Sequence, residues 1–146
     1  VLSGQFVGWS VQNSGALSST ARDRWQAAKP PGCPGIAIGQ FANPKNAAFA
    51  VLLVGSGQSK GEAMLLVCAR DDVGYHENVL ERFSSGASNY FVRSAQVRQF
   101  FDAAAVRKFG VASTDSIVLF DAGKDDYGVE VYFWTGDGFR HEPVDY

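Results

Sequence analysis

The chain is poor in the residues that most often carry chemistry. Its 146 residues include two cysteines, two histidines and one methionine. Two cysteines allow at most one bridge, so the fold cannot be a disulfide-stapled scaffold. An excess of charge of one sign is also missing. Thirteen Lys and Arg against 15 Asp and Glu leave a net charge of −2, which argues against the clustered basic footprint of a nucleic-acid-binding domain. No apolar run reaches the ~18 residues of a membrane-spanning helix. The longest, Ala47–Gly55, has the length of a strand. What is present is hydrophobic: 46% of the residues, 11 of them Phe, enough to build a core without staples. The length fits one domain, 1–146. The chain opens Val1-Leu2-Ser3-Gly4 without a Met, which decides nothing about a leader.

The order of periods along the chain predicts an α+β domain. Phe6, Val7, Trp9 and Val11 alternate weakly and suit an edge strand or a packed arm. Leu17, Ala21, Trp25 and Ala28 then share one helical face, with Ser18, Ser19 and Thr20 as capping candidates. Pro30-Pro31-Gly32 ends that helix. Strands are expected at about Ile36–Phe41, Ala48–Val54, Ala63–Ala69 and Tyr75–Phe83, followed by a loop at Ser84–Asn89. After Phe91 the period becomes helical: Val97, Phe100, Phe101, Ala104, Ala105 and Phe109 form an apolar stripe that stops at Gly110. Ser116–Ala122, Gly128–Thr135 and Phe139–Val144 close the chain as a meander. The expected architecture is an antiparallel sheet of about six or seven strands with two helices packed on one face.

Each candidate site has an ordinary structural explanation. Gly57-Gln58-Ser59-Lys60-Gly61 matches the G-x-S-x-G pattern. A nucleophile elbow, however, needs a helix after it, and Glu62–Val67 reads as a strand. His76-Glu77 and His141-Glu142 pair imidazole with carboxylate, but neighbours along a strand point to opposite faces, so each pair offers one group per face. Asp71-Asp72 and Asp125-Asp126 sit in turns, where Asp caps backbone amides, and neither continues as an alternating calcium ligand set. No catalytic, cofactor or metal residue is therefore assigned. Cys33 lies in a Pro/Gly turn and Cys68 ends an apolar run; they are either a disulfide, implying an oxidising compartment, or two separate thiols. Tyr132 and Trp134 share one face of a strand, Val131 and Phe133 the other, so one set is core and the other is a second buried layer or a recognition surface.

Gly39-Gln40-Phe41, Phe49-Ala50-Val51-Leu52-Leu53 and the segment from Val131-Tyr132-Phe133-Trp134 to Gly136-Asp137-Gly138-Phe139-Arg140 give the chain a family likeness, with Trp25 and Cys33-Pro34-Gly35 upstream. Over about Trp25 to Arg140 it resembles a poorly characterised group of bacterial exported proteins with an FG-GAP-like turn and a C-terminal YYW-x-G-x-F hairpin. The turn has degenerated here to Ala42-Asn43-Pro44-Lys45-Asn46-Ala47-Ala48, which lacks the oxygen ligands for calcium. The resemblance implies export and a binding or structural role.

The expected function is a non-catalytic periplasmic or secreted domain that binds another protein, in the manner of an immunity or inhibitor protein. Its expected contacts are Gln58, Ser59 and Lys60 in one turn, Asp125, Asp126 and Tyr127 in another, and Trp134. The alternatives are a small serine- or metal-dependent hydrolase using Ser59 or His76 and His141, or a structural or ligand-carrying envelope protein with an apolar pocket beside helix 97–109.

Overall fold

A computed structural model describes residues 6–28, 32–42, 46–70, 72–124 and 128–145. In chain order these form β1 (Trp9–Val11), α1 (Ser19–Ala27), β2 (Ile36–Gly39), β3 (Ala48–Gly55), β4 (Ala63–Arg70), β5 (Tyr75–Phe83), β6 (Tyr90–Gln96), α2 (Ala103–Phe109), β7 (Asp115–Asp121), β8 (Gly128–Trp134) and β9 (Phe139–Pro143). The class is α+β with antiparallel pairing throughout. The nine described strands divide into two sheets, however, where one of six or seven was expected. The first runs β1-β3-β4-β5, with β2 also paired to β3, and the second is the meander β6-β7-β8-β9.

The division follows from burial on both sides of the strands. In β3, Ala50, Leu52 and Val54 face one way and Val51 and Leu53 the other, and all five are buried. Leu52, Leu65 and Val67 meet Val92, Ile117, Leu119 and Tyr132 of the second sheet in a single core between the sheets. The far side of the second sheet carries both helices, in agreement with the expected one-sided packing. Leu17, Ala21 and Trp25 lie with Phe91, Val118 and Phe120. Val131 and Phe133 lie with Val97, Phe101 and Phe109. On the far side of the first sheet, Phe6 covers Val51, Leu53, Met64 and Leu66. Layers therefore run sheet, sheet, helices.

Local chemistry sets the helix limits. Ser18 Oγ accepts from the Ala21 amide at 3.2 Å and caps α1. The apolar stripe from Val97 predicts one long helix, but α2 begins only at Ala103, after a 3-10 turn at Val97–Gln99. Asp102 is the reason. Its side chain accepts from the Ala105 amide at 2.8 Å while its own backbone stays extended, so it starts a helix and does not continue one. Gly110 ends α2 with a left-handed backbone, as its position implies.

β6 is an element that periodicity missed. Its sequence, YFVRSAQ, has polar residues on both faces, and its strand identity comes from full register with β7, from Tyr90 opposite Asp121 to Gln96 opposite Asp115. A buried glutamine ties it to the first sheet. Gln12 Nε2 donates to the carbonyls of Ala87 at 2.7 Å and Tyr90 at 3.0 Å, and the Val92 amide donates to the Pro34 carbonyl at 2.9 Å.

Candidate functional site

Titratable side chains converge at one end of the space between the sheets. The placement begins with a bulge in β5. Opposite β4, Leu65 pairs with Glu81 but its neighbour Leu66 pairs with Val79, so Leu80 is an extra residue. Without the bulge Val79 and Glu81 would share a face; with it, Val79 turns outward and Glu81 inward. Glu81 there accepts a hydrogen bond from the Tyr132 hydroxyl of β8. Tyr132 is buried and stacks on its cross-strand partner His141 of β9, with ring centroids 5.0 Å apart and planes at 28°. His141 Nδ1 lies 2.9 Å from Glu130 Oε2. Phe83 and Tyr90 pack with centroids 4.7 Å apart. With Asp121 and Lys124 at the rim, these groups bound a cleft of about 230 Å³.

The electrostatics of the cleft act on its two phenols. Burial raises the Tyr132 pKa far above its ordinary value, and the Glu81 carboxylate, which accepts the hydroxyl's hydrogen bond and repels a phenolate, adds to the effect. Tyr90 is raised in the same sense, by burial first and then by Asp121 and Glu81. Both rings thus stay neutral, and Tyr132 acts as a hydrogen-bond donor rather than a nucleophile. A stability prediction follows. Below about pH 10 folded and unfolded chains both hold the Tyr132 proton; above it only the unfolded chain releases it, so stability falls by up to about 1.4 kcal/mol per pH unit. Urea midpoints at pH 8 and pH 11 should show this loss in the wild type and a smaller loss in Tyr132→Phe. An equal loss in both would mean that Tyr132 is not held protonated.

The residues singled out from the sequence do not gather in this cleft as a group. Gln58 and Lys60 are exposed and Ser59 half-buried, on a 3-10 turn between β3 and β4. The residues after Ser59 form antiparallel β4, as expected, so no elbow geometry exists there. Trp134 is half-buried, edge-on to Phe139 at 5.1 Å, and its amide donates to Ser113 Oγ at 3.2 Å. Asp125, Asp126 and Tyr127 lie outside the described residues. His76 pairs with Ala69 of β4 in the first sheet, whereas His141 stands on β9 in the second. No three His, Cys, Asp or Glu among the described residues are grouped to hold a metal ion.

The possible disulfide is not formed. Cys33 and Cys68 are free thiols. Cys33 Sγ donates to the Gln12 carbonyl at 3.0 Å, beside the end of β1. Cys68 stands in β4 between Phe49 and Glu77, where burial and the Glu77 charge raise its pKa. A cavity of about 300 Å³ does lie beside α2, bounded by Val97, Val106, Val111 and polar neighbours.

A second feature is the outer face of the first sheet beyond the cover of Phe6. Cross-strand partners point the same way, and the register runs Ile38 to Phe49 to Cys68 to Glu77, with Ile36 beside Val51 and Tyr75 beside Arg70. Ile38 is 57% exposed and Tyr75 66%, with Ile36, Phe49 and Val79 also open. A groove of about 400 Å³ crosses this face, lined by Ile36, Phe49, Val51, Cys68 and Tyr75 together with Glu77. Sequence reading had no signal for the cleft, because a one-residue bulge creates it. It had a weak signal for the open face in the alternation Ile36-x-Ile38 and Tyr75-x-x-x-Val79. The chain matches no family model, no curated protein and no solved structure.

Proposed function

We propose that the protein is a non-catalytic, extracytoplasmic binding domain that covers a partner protein, as an immunity or inhibitor protein does. The observation that supports this reading most directly is the open apolar face of the first sheet. Its contact residues are Ile36, Ile38, Phe49, Tyr75 and Val79, a set distinct from the polar turn at Gln58, Ser59 and Lys60. Contiguous exposed apolar surface is uncommon on a free monomer and marks a surface that another molecule covers. Tyr is moreover among the residues enriched in energetic hot spots of interfaces. The face is stiff, because β3 and β4 beneath it are buried on their other side against the second sheet. A stiff apolar groove suits a partner that inserts an apolar side chain over Cys68 and Val51 and is then blocked sterically. The compartment in this proposal comes from the resemblance to bacterial exported proteins.

The test is a bait experiment in envelope and soluble fractions of the source organism, read by mass spectrometry. Wild-type protein should retain one stoichiometric partner, and the Ile38→Glu/Tyr75→Glu variant should lose it. Gln58→Ala/Lys60→Ala should keep it. Retention by the Ile38→Glu/Tyr75→Glu variant, or no retained partner with the wild type, would overturn the proposed face.

A further inference from the structure

We propose that the cleft between β5 and the second sheet binds a small primary alkylammonium ion, held by carboxylates at the rim and aromatic rings at the floor. This site is separate from the apolar face, and its test does not depend on a protein partner.

Charge comes first. Among the described residues, Glu81, Asp121 and Glu130 bound the cleft with one lysine, Lys124, and with His141, which pairs with Glu130. Within the described residues each carboxylate is engaged through one oxygen: Glu81 by the Tyr132 hydroxyl, Glu130 by His141, and Asp121 by the Gly123 amide at 3.0 Å. A carboxylate has about four acceptor positions, so the contacts among the described residues leave most of this capacity for a ligand bearing several N–H donors. A primary ammonium has three.

The floor selects an organic cation. Phe83, Leu119 and the rings of Tyr90 and Tyr132 line it, and aromatic faces attract a cation and pack against its carbons. The described residues group no three metal-ligating side chains, which turns the choice away from a metal ion. The 230 Å³ cleft has room for roughly seven water-sized groups at about 30 Å³ each, the size of an amine with about five carbons. The rim, moreover, already accommodates such a chain. Lys124 lies across Gly128 so closely that a Cβ on that glycine would come within 2.7 Å of Lys124 Cδ. A butylammonium group of the protein itself therefore packs at the mouth of the cleft, and a side chain at position 128 would displace it.

The free amine and a lysine side chain share this chemistry, and titrations separate them. Pentylammonium, neutral 1-pentanol and Nα-acetyl-lysine amide would each be added to isotope-labelled protein, with amide shifts of β5, β8 and β9 followed by NMR. Pentylammonium should shift these amides and pentanol should not. Tighter binding of the lysine derivative would assign the site to a peptide lysine, and tighter binding of pentylammonium to a free amine; either supports ammonium recognition. Glu81→Gln/Asp121→Asn should weaken binding by about tenfold or more, as expected for two charge-assisted contacts. Lys124→Ala changes an exposed residue and should tighten binding a few-fold by removing the competing cation. Equal shifts with pentanol, no shifts at millimolar amine, or unchanged affinity in Lys124→Ala would overturn the proposal.

Discussion

Gly35→Ala is expected to lower the thermal midpoint by roughly 10 °C, equivalent to about 3 kcal/mol for a chain of this size. A Cβ at this position would lie 2.4 Å from the Gln12 carbonyl oxygen and 2.7 Å from its amide nitrogen, both backbone atoms. The crowding arises because two strands meet end to end along one side of β3. β1 pairs with residues Leu53 to Gly55 and β2 with Ala48 to Val51. At Leu52, between them, the amide donates to the Gly35 carbonyl and the carbonyl accepts from the Gln12 amide, each at 2.8 Å. Moving either strand to admit a methyl group breaks one of these bonds within the buried junction and also strains the Gln12 bonds to Ala87 and Tyr90. Gly138→Ala is the control. Its Cβ meets nothing within 4 Å and its φ is not positive, so a change within about 0.5 kcal/mol is expected. Calorimetry showing the same midpoint for both variants would mean that the β1–β2 junction yields readily.

Phe133→Ala should be costlier still, at about 4 kcal/mol, the range for emptying a buried phenylalanine site. Phe133 is fully buried, with its ring 5.5 Å from Phe101 at 77° and 6.2 Å from Phe109; Phe101 and Phe109 are themselves edge-on at 5.5 Å. α2 has seven residues, too few to hold a helix in water alone, so its order depends on this aromatic contact. Urea denaturation should give the free-energy loss, and hydrogen exchange should show α2 losing protection before the strands do. The apolar face proposed for the partner lies two layers away, so partner binding below the unfolding midpoint should persist. Normal protection of α2 in Phe133→Ala would show that other contacts dock the helix.

The parts of the fold legible in the sequence are those whose residues carry their own period or their own turn chemistry. β3, β4, β7 and β8 are legible to within a residue or so because apolar runs of strand length lie between Gly, Ser and Asp turns, and β5 and β9 because turns bound segments of strand length. Ser18 and Gly110 marked helix ends through local chemistry that needs no distant partner. β6 was not legible, since its alternating polar residues become a strand only when β7 lies alongside. The helix expected from Val97 was overextended because an apolar stripe does not reveal that Asp102 would rather cap its neighbours than join them. Of the cleft, the sequence marks Tyr132 as part of an aromatic cluster and His141 as one of two histidines, but Glu81, Asp121 and Glu130 read as ordinary surface carboxylates.

By itself the amino-acid order determined that this chain builds antiparallel strands with two helical segments over one apolar face, since hydrophobic period and turn residues act over a few positions. Tertiary structure alone decided that the strands form two sheets, that Cys33 and Cys68 remain apart as thiols, and that Glu81 turns inward to Tyr132 while Tyr75 and Val79 turn out. The physical reason lies in range. Which of two apolar faces finds a partner, and which side of a strand follows a bulge, depend on residues tens of positions away, and no local pattern carries that information.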